Sequence, residues 1–310
     1  MRLNINNPII IISVFRSGSN LIKGILCQLP GFGGWPAESI NFIWRHGNAL
    51  RVDDELSIND ANDYVKKYIR KAFSNLSIKY GYKYVVEKTD QNSLRVGFVN
   101  EIFPDAKFIF VVRDGRDAIA SMLKRRHQSH SPIFVLKFWL KKARYIPLSD
   151  IPIVATRNIK NMFQRFFIKK VVFQLGPVFK DMEKMLNNHT ELEIVALQWA
   201  KCIEKSYKEI KNIESNRVHF LKYEELVKNS KTEIVDLIKF LNIELSNKDS
   251  KLFFDKILFG EIGKETSSPE MKTVKGISNK SVGRWEKELD NDALNTIMPI
   301  IKNTMRELGY

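Results

Sequence analysis

Residues 8–26 read PIIIISVFRSGSNLIKGIL, and this one stretch leaves a chain of 310 residues few folds to choose from. A β-branched, apolar run over 9–14, broken only by Ser13, predicts a strand buried on both faces. Ser17, Gly18, Ser19 and Asn20 are turn and helix-capping residues, after which Leu21, Ile22, Ile25 and Leu26 follow helical spacing. A buried strand that passes through a tight turn into a helix N-terminus is the repeating unit of an open α/β sheet. It also makes an anion site: backbone N–H groups converge on the positive end of the helix dipole, Gly18 permits close approach, and Arg16 adds a forked cation. The ligand class is phosphate or sulfate. The nucleotide-triphosphate P-loop is excluded, because G-x-x-x-x-G-K-[ST] is absent. A plain βα turn with good capping residues has the same pattern, so the rest of the chain has to decide.

Residues 82–126 supply the second informative block. A short strand over 84–86 ends at Glu87-Lys88-Thr89, a helix is expected over 92–103, and an apolar strand over 107–112 ends at Arg113. This is βαβ order and predicts a parallel sheet, mainly five-stranded, with 9–14 and 108–112 as inner strands. Strand ends then bring Arg16, Lys88 and Arg113 to one edge of the sheet. The helix after Asp114-Gly115-Arg116 carries Ser121 and Arg125, an i,i+4 pair that points a hydroxyl and a guanidinium the same way. Two basic loops and this helix face predict a ligand with two separated anionic groups.

The formal net charge of +15 fits an anionic ligand, polymer or membrane surface, although much of it is scattered lysine. Two cysteines, Cys27 and Cys202, both on apolar helical faces, predict buried free thiols and cannot make a structural zinc site alone. No His-rich or carboxylate cluster suggests a metal. With no leader-like stretch and no run of transmembrane length, the expectation is a cytoplasmic protein, soluble or peripheral to a membrane. The Gly/Pro-rich stretch 29–48 should lie near the carboxyl ends of the strands, where open sheets bind ligands. It carries two candidate bases, Glu38 among Trp35, Phe42 and Trp44, and His46; Glu38 read alone is equally a carboxylate at a helix N-terminus. An amphipathic helix is expected over 60–75, with Tyr64, Val65, Tyr68, Ile69 and Phe73 at helical spacing. Further helices are expected over 192–213, 231–241 and 294–308, a strand over 218–222, and tryptophans in the core. Residues 131–173 form a basic, aromatic stretch with Ile159, Met162, Phe163 and Phe166 on one helical face. Three roles are open to it: covering an acceptor site, contacting an anionic membrane or glycan, or packing on the core.

Four segments in order, Phe15-Arg16-Ser17-Gly18-Ser19-Asn20-Leu21, Val112-Arg113-Asp114-Gly115-Arg116-Asp117 with Ser121, Lys222-Tyr223-Glu224-Glu225-Leu226, and Gly283-Arg284-Trp285, resemble the sulfotransferases that use 3′-phosphoadenosine 5′-phosphosulfate (PAPS). The R-S-G-[ST] form of the first loop is similar to the tyrosylprotein and carbohydrate branch. The resemblance covers 8–126 and 175–290 and implies a P-loop-like three-layer α/β fold with a central parallel sheet. With no internal repeat or clear linker, the chain is read as one domain over 1–310, with 127–174, outside the resemblance, as an insertion. By the resemblance, Arg16 and the loop Ser17, Gly18, Ser19 and Asn20 hold the 5′-phosphosulfate, while Arg113, Ser121 and Arg125 hold the 3′-phosphate. Tyr223, Arg284 and a covering loop over 268–278 that includes Lys275 contact the nucleotide. Glu38 falls on the catalytic base, and Lys88 on a lysine that contacts the sulfuryl group. Asn20 departs from the usual Ser or Thr, and Asp90-Gln91 from a common proline. The implied activity is transfer of sulfuryl from PAPS to a hydroxyl, on a carbohydrate or glycolipid, leaving 3′-phosphoadenosine 5′-phosphate (PAP) and using no metal. A tyrosine or small-molecule acceptor is the alternative within the family. A non-enzymatic binder of anionic polymers is the alternative outside it, although nucleic acid is not the expected partner.

Overall fold

A computed structural model describes residues 8–35, 40–126, 145–156, 176–259, 261–262, 274–275 and 277–310. Five parallel strands make the central sheet: β1 (Ile9–Ser13), β2 (Phe32–Gly34), β3 (Tyr84–Lys88), β4 (Lys107–Val112) and β5 (Val218–Lys222), in the order β2-β3-β1-β4-β5. β1 pairs with β3 on one side and β4 on the other, with Ile10 opposite both Glu87 and Phe108. Both expected inner strands are therefore inner. Alternation explains the two-sided burial. Ile10 and Ile12 join Phe108 and Phe110 in one core, whereas Ile9 and Ile11 join Ile109, Val111 and Val86 in the other.

Helices cover both faces. α1 (Ser19–Leu26) seals the second core through Ile22, Ile25 and Leu26. α2 (Asn41–Trp44), α3 (Asp63–Tyr80), α4 (Val96–Ile102), α5 (Gly115–Arg126) and α6 (Glu191–Ile210) lie on the first, joined by the terminal helix α7 (Asn291–Glu307). Trp35, Trp44 and Trp199 are buried there, as expected for core tryptophans.

The structure corrects four local expectations. Residues 29–48 were expected as a connection, yet Phe32–Gly34 pairs with β3 as an edge strand, with Phe32 opposite Tyr84. Its two glycines give no periodicity to read, and they are needed for packing: a Cβ on Gly33 would stand 2.2 Å from the Tyr82 ring. The helix expected over 60–75 runs Asp63–Tyr80, because Asn62 caps Val65 N–H at 3.1 Å and the chain next turns left-handed at Gly81. Tyr64, placed on its buried face, is 60% exposed. The helix expected over 92–103 is split into a 3₁₀ turn, Asp90–Leu94, and α4, since Arg95 leaves helical geometry (φ −156°, ψ 42°) between them. Cys27 is only half-buried, at the end of α1; Cys202 is buried, and both are free. Burial pushes the Cys27 thiol up to about 11 and the Cys202 thiol further.

A buried polar network ties the sheet to the segments beside it. Glu87 accepts from Thr89 Oγ1 at 2.5 Å and Asn92 Nδ2 at 2.9 Å; Arg95 reaches Asn92 at 2.9 Å and Asn41 at 2.5 Å; Asn41 and Arg45 both reach Asp54. Burial holds the Glu87 carboxyl above its ordinary range and lowers Arg95 to about 10. Asp54 also exchanges backbone and side-chain bonds with Val178. Among the described residues no helix is long and apolar enough to cross a membrane.

Candidate active site

The strand order reverses about β1, and the crevice beyond its carboxyl end is where such sheets bind ligands. Four strands end there with a candidate residue: Arg16 after β1, Lys88 on β3, Arg113 after β4 and Tyr223 after β5. The loop after β1 is tightly wound. Arg16 is a non-glycine residue with φ 63°, and Gly18 caps α1 with φ 85°. An L-residue in this region costs about 1–2 kcal/mol, so surrounding contacts must hold Arg16 in place. They do: Arg113 Nη1 donates to the Arg16 carbonyl at 2.9 Å, and Arg16 Nε donates to Ser121 Oγ at 2.9 Å. The residues expected at opposite ends of the ligand are thus one connected cluster.

Tyr223 closes this cluster from β5. Its ring lies against Gly18, where a Cβ would meet Cδ2 at 2.2 Å, and under the Arg113 guanidinium at 4.8 Å. Its hydroxyl shares a 2.6 Å hydrogen bond with Ser281 Oγ, and Arg113 Nη2 donates to the Ser281 carbonyl. Ser281 was not foreseen, and no local pattern marks it. The Ser17 hydroxyl and Arg113 Nε are buried without a hydrogen-bond partner. Buried donors left this way inside a cationic cluster suit a polyanionic ligand. Ser17 N–H turns back to the Val14 carbonyl at 3.4 Å, while Ser19 and Asn20 form the first turn of α1.

Lys88 is buried and pairs with Asp90 at 2.9 Å. Glu38 lies outside the described residues; Trp35 and Ile40 are the described residues nearest to it in the chain. Lys23 Nζ donates to the Trp35 carbonyl at 3.0 Å, and Ile40 N–H donates to Thr89 Oγ1 at 3.2 Å, next to Lys88. His46 is 2% exposed, bonds Asp150 Oδ2 at 3.0 Å through Nδ1 and packs against the Tyr68 ring, centroids 3.7 Å apart and tilted by 36°. Buried this deeply, the ring acts as a tie between α2 and residues 145–156. Arg125 is half-buried on α5. Arg284 pairs with Glu288 at 2.5 Å, and the Lys275 backbone pairs with Glu261 in a two-stranded ribbon (Glu261–Ile262 with Val274–Lys275). Residues 268–273 and 276 of the expected covering loop and most of 131–173 lie outside the described residues. Within the latter, Val154 is buried and Tyr145 meets Trp35 edge-on at 6.0 Å, so 145–156 packs on the core. Among the described residues no cluster of three or more metal-ligating side chains occurs.

Comparison with known proteins gives this geometry its context. Residues 6–309 match the sulfotransferase domain family. The chain belongs to this family. Among solved sulfotransferases, the domain from the curacin biosynthetic pathway is 14% identical with a TM-score of 0.54, covering 98% of each chain. The sulfotransferase domain of the Synechococcus PCC 7002 olefin synthase is 13% identical with a TM-score of 0.51, covering 96% of this chain and 94% of that one. Mouse sulfotransferase SULT7A1, solved in complex with PAP, is 14% identical with a TM-score of 0.51, covering 98% of this chain and 85% of that one. At these identities the likeness is one of fold. No curated protein sequence matches the chain. The cluster of Arg16, Arg113, Ser121 and Tyr223 is thus the candidate active site of a sulfotransferase.

Proposed function

We propose that the protein transfers the sulfuryl group of PAPS to a hydroxyl of a carbohydrate or glycolipid. The connected cationic cluster at the end of β1 and β4, with its two unanswered buried donors, carries this proposal. Arg16 and the loop from Ser17 to Asn20 hold the 5′-phosphosulfate; Arg113, Ser121 and Arg125 hold the 3′-phosphate; Tyr223, Lys275 and Arg284 complete the nucleotide site. PAPS supplies an activated sulfuryl group when bound. In-line transfer moves negative charge onto oxygens, so the protein's work is positioning and charge stabilisation, which Arg16 and Lys88 provide. Glu38 takes the acceptor's proton in this proposal. The Arg-Ser-Gly-Ser form of the loop, similar to the tyrosylprotein and carbohydrate branch, supports a carbohydrate or tyrosine acceptor over a small molecule. The chain acts as one domain in this proposal, with 127–174 as an insertion that meets an anionic glycan or membrane surface.

The test is incubation with sulfur-labelled PAPS and separate pools of oligosaccharides, glycolipids, tyrosine peptides and small phenols. Label in either carbohydrate pool is expected. Label only in peptides or phenols would overturn the acceptor, and no label with no preference for PAP over other nucleotides would overturn the PAPS reading. Arg113→Ala should weaken PAP roughly ten- to hundred-fold while changing AMP, which lacks the 3′-phosphate, far less. Equal losses would remove Arg113 from the 3′-phosphate site.

A further inference from the structure

Asp117 is 1% exposed on α5, one turn beyond Arg113, yet none of the roles assigned so far uses it. Its carboxylate bridges two structures. Oδ2 accepts from Gly283 N–H at 2.9 Å and Oδ1 from Trp285 N–H at 3.0 Å, so both oxygens are engaged by one turn. Oδ2 also lies 3.4 Å from Arg113 Nη2. Gly283 has φ 70°, and such a turn aims neighbouring N–H groups at one anion. From outside, the Arg116 guanidinium covers the Trp285 ring at 4.0 Å. On its inner side, Ser281 bonds Arg113 through its carbonyl and Tyr223 through its hydroxyl.

We propose that Asp117 is a positioning residue that sets Arg113 for the 3′-phosphate by clamping the 281–285 turn against α5. Arg113 has three kinds of donor. Nη1 is held by the Arg16 carbonyl, Nη2 by Ser281 and Asp117, and Nε is buried without a partner. A guanidinium held at both ends presents a fixed edge. Without the Asp117 carboxylate, two part-buried amides lose their acceptors, the turn that supplies Ser281 loosens, and Nη2 loses both partners together. A carboxylate that served only as a cap would touch the turn alone. This one touches the turn and the guanidinium at once.

The proposal rests on the PAPS reading, and the ligand pair PAP and AMP separates the two. Wild-type protein is expected to prefer PAP by calorimetric titration. In Asp117→Asn, which keeps the size and one acceptor oxygen, that preference should fall roughly ten-fold or more, with AMP binding little changed. In an Arg113→Ala background the same substitution should alter the preference little, because the residue it acts through is gone. Equal losses for the two ligands, or full additivity with Arg113→Ala, would overturn the role of Asp117 and leave the PAPS reading standing. A wild type with no preference for PAP would remove both. Should Asp117→Asn fail to fold, amide hydrogen exchange on the wild type decides: PAP, more than AMP, should slow exchange at Gly283 and Trp285. Equal protection by the two ligands would overturn the proposal.

Discussion

Replacing Gly18 with alanine sets two separable demands of the nucleotide loop against each other. The backbone at Gly18 has φ 85°, a region that costs an L-residue about 1–2 kcal/mol. The new methyl would also stand 2.2 Å from Cδ2 and 2.6 Å from Cε2 of Tyr223, so the ring must leave its place, at a further cost of roughly 1–3 kcal/mol. Gly18→Ala is therefore expected to lose about 2–5 kcal/mol of stability in urea unfolding followed by tryptophan fluorescence. Because the displaced ring carries the Ser281 contact and lies under Arg113, PAP affinity should fall as well. The Tyr223→Ala background isolates the backbone part: there Gly18→Ala should cost only about 1–2 kcal/mol. An equal loss in both backgrounds would refute the steric argument, and wild-type stability in the single variant would refute both.

Glu38→Gln keeps size and removes basicity, so PAPS binding should persist while single-turnover transfer slows roughly 10²–10⁴-fold; His46→Gln should leave transfer far less affected, and the reverse order would exchange their roles. Burial raises Cys27 from 9.0 to about 11, so the reactive thiolate is scarce at neutral pH. Iodoacetamide labelling of the folded protein at pH 8 should be roughly a hundred-fold slower than for an ordinary thiol and rise about ten-fold per pH unit up to pH 11; labelling at the free-cysteine rate would contradict the packing. Asp54 is buried against Arg45 at 2.9 Å and receives Val178 N–H at 2.9 Å. Asp54→Ala should cost about 3–5 kcal/mol in urea unfolding, since it strands a buried guanidinium, and a near-neutral change would show that the network relaxes.

Periodicity along the chain was enough to identify both inner strands, the parallel sheet and the edge on which Arg16, Lys88 and Arg113 gather, whereas Tyr223 came only with the family resemblance. Each of these is a local property: a run of β-branched residues states that both faces are buried, and a cation just after such a run must emerge at the carboxyl end of its strand. What the tertiary structure decided was how the deliveries meet. Ser281 lies 58 residues from Tyr223 and Gly283 lies 166 from Asp117, so no spacing in the sequence pairs them. β2 was equally illegible, because Gly33 and Gly34 show no alternation and become a strand only where Tyr82 and Lys23 pack over them. Tyr64 satisfied the helical pattern and still faces solvent, since periodicity names a stripe but not its margin. Local hydrogen-bonding preference and face polarity are written in neighbouring residues; contacts between strand-end loops depend on where the sheet brings them.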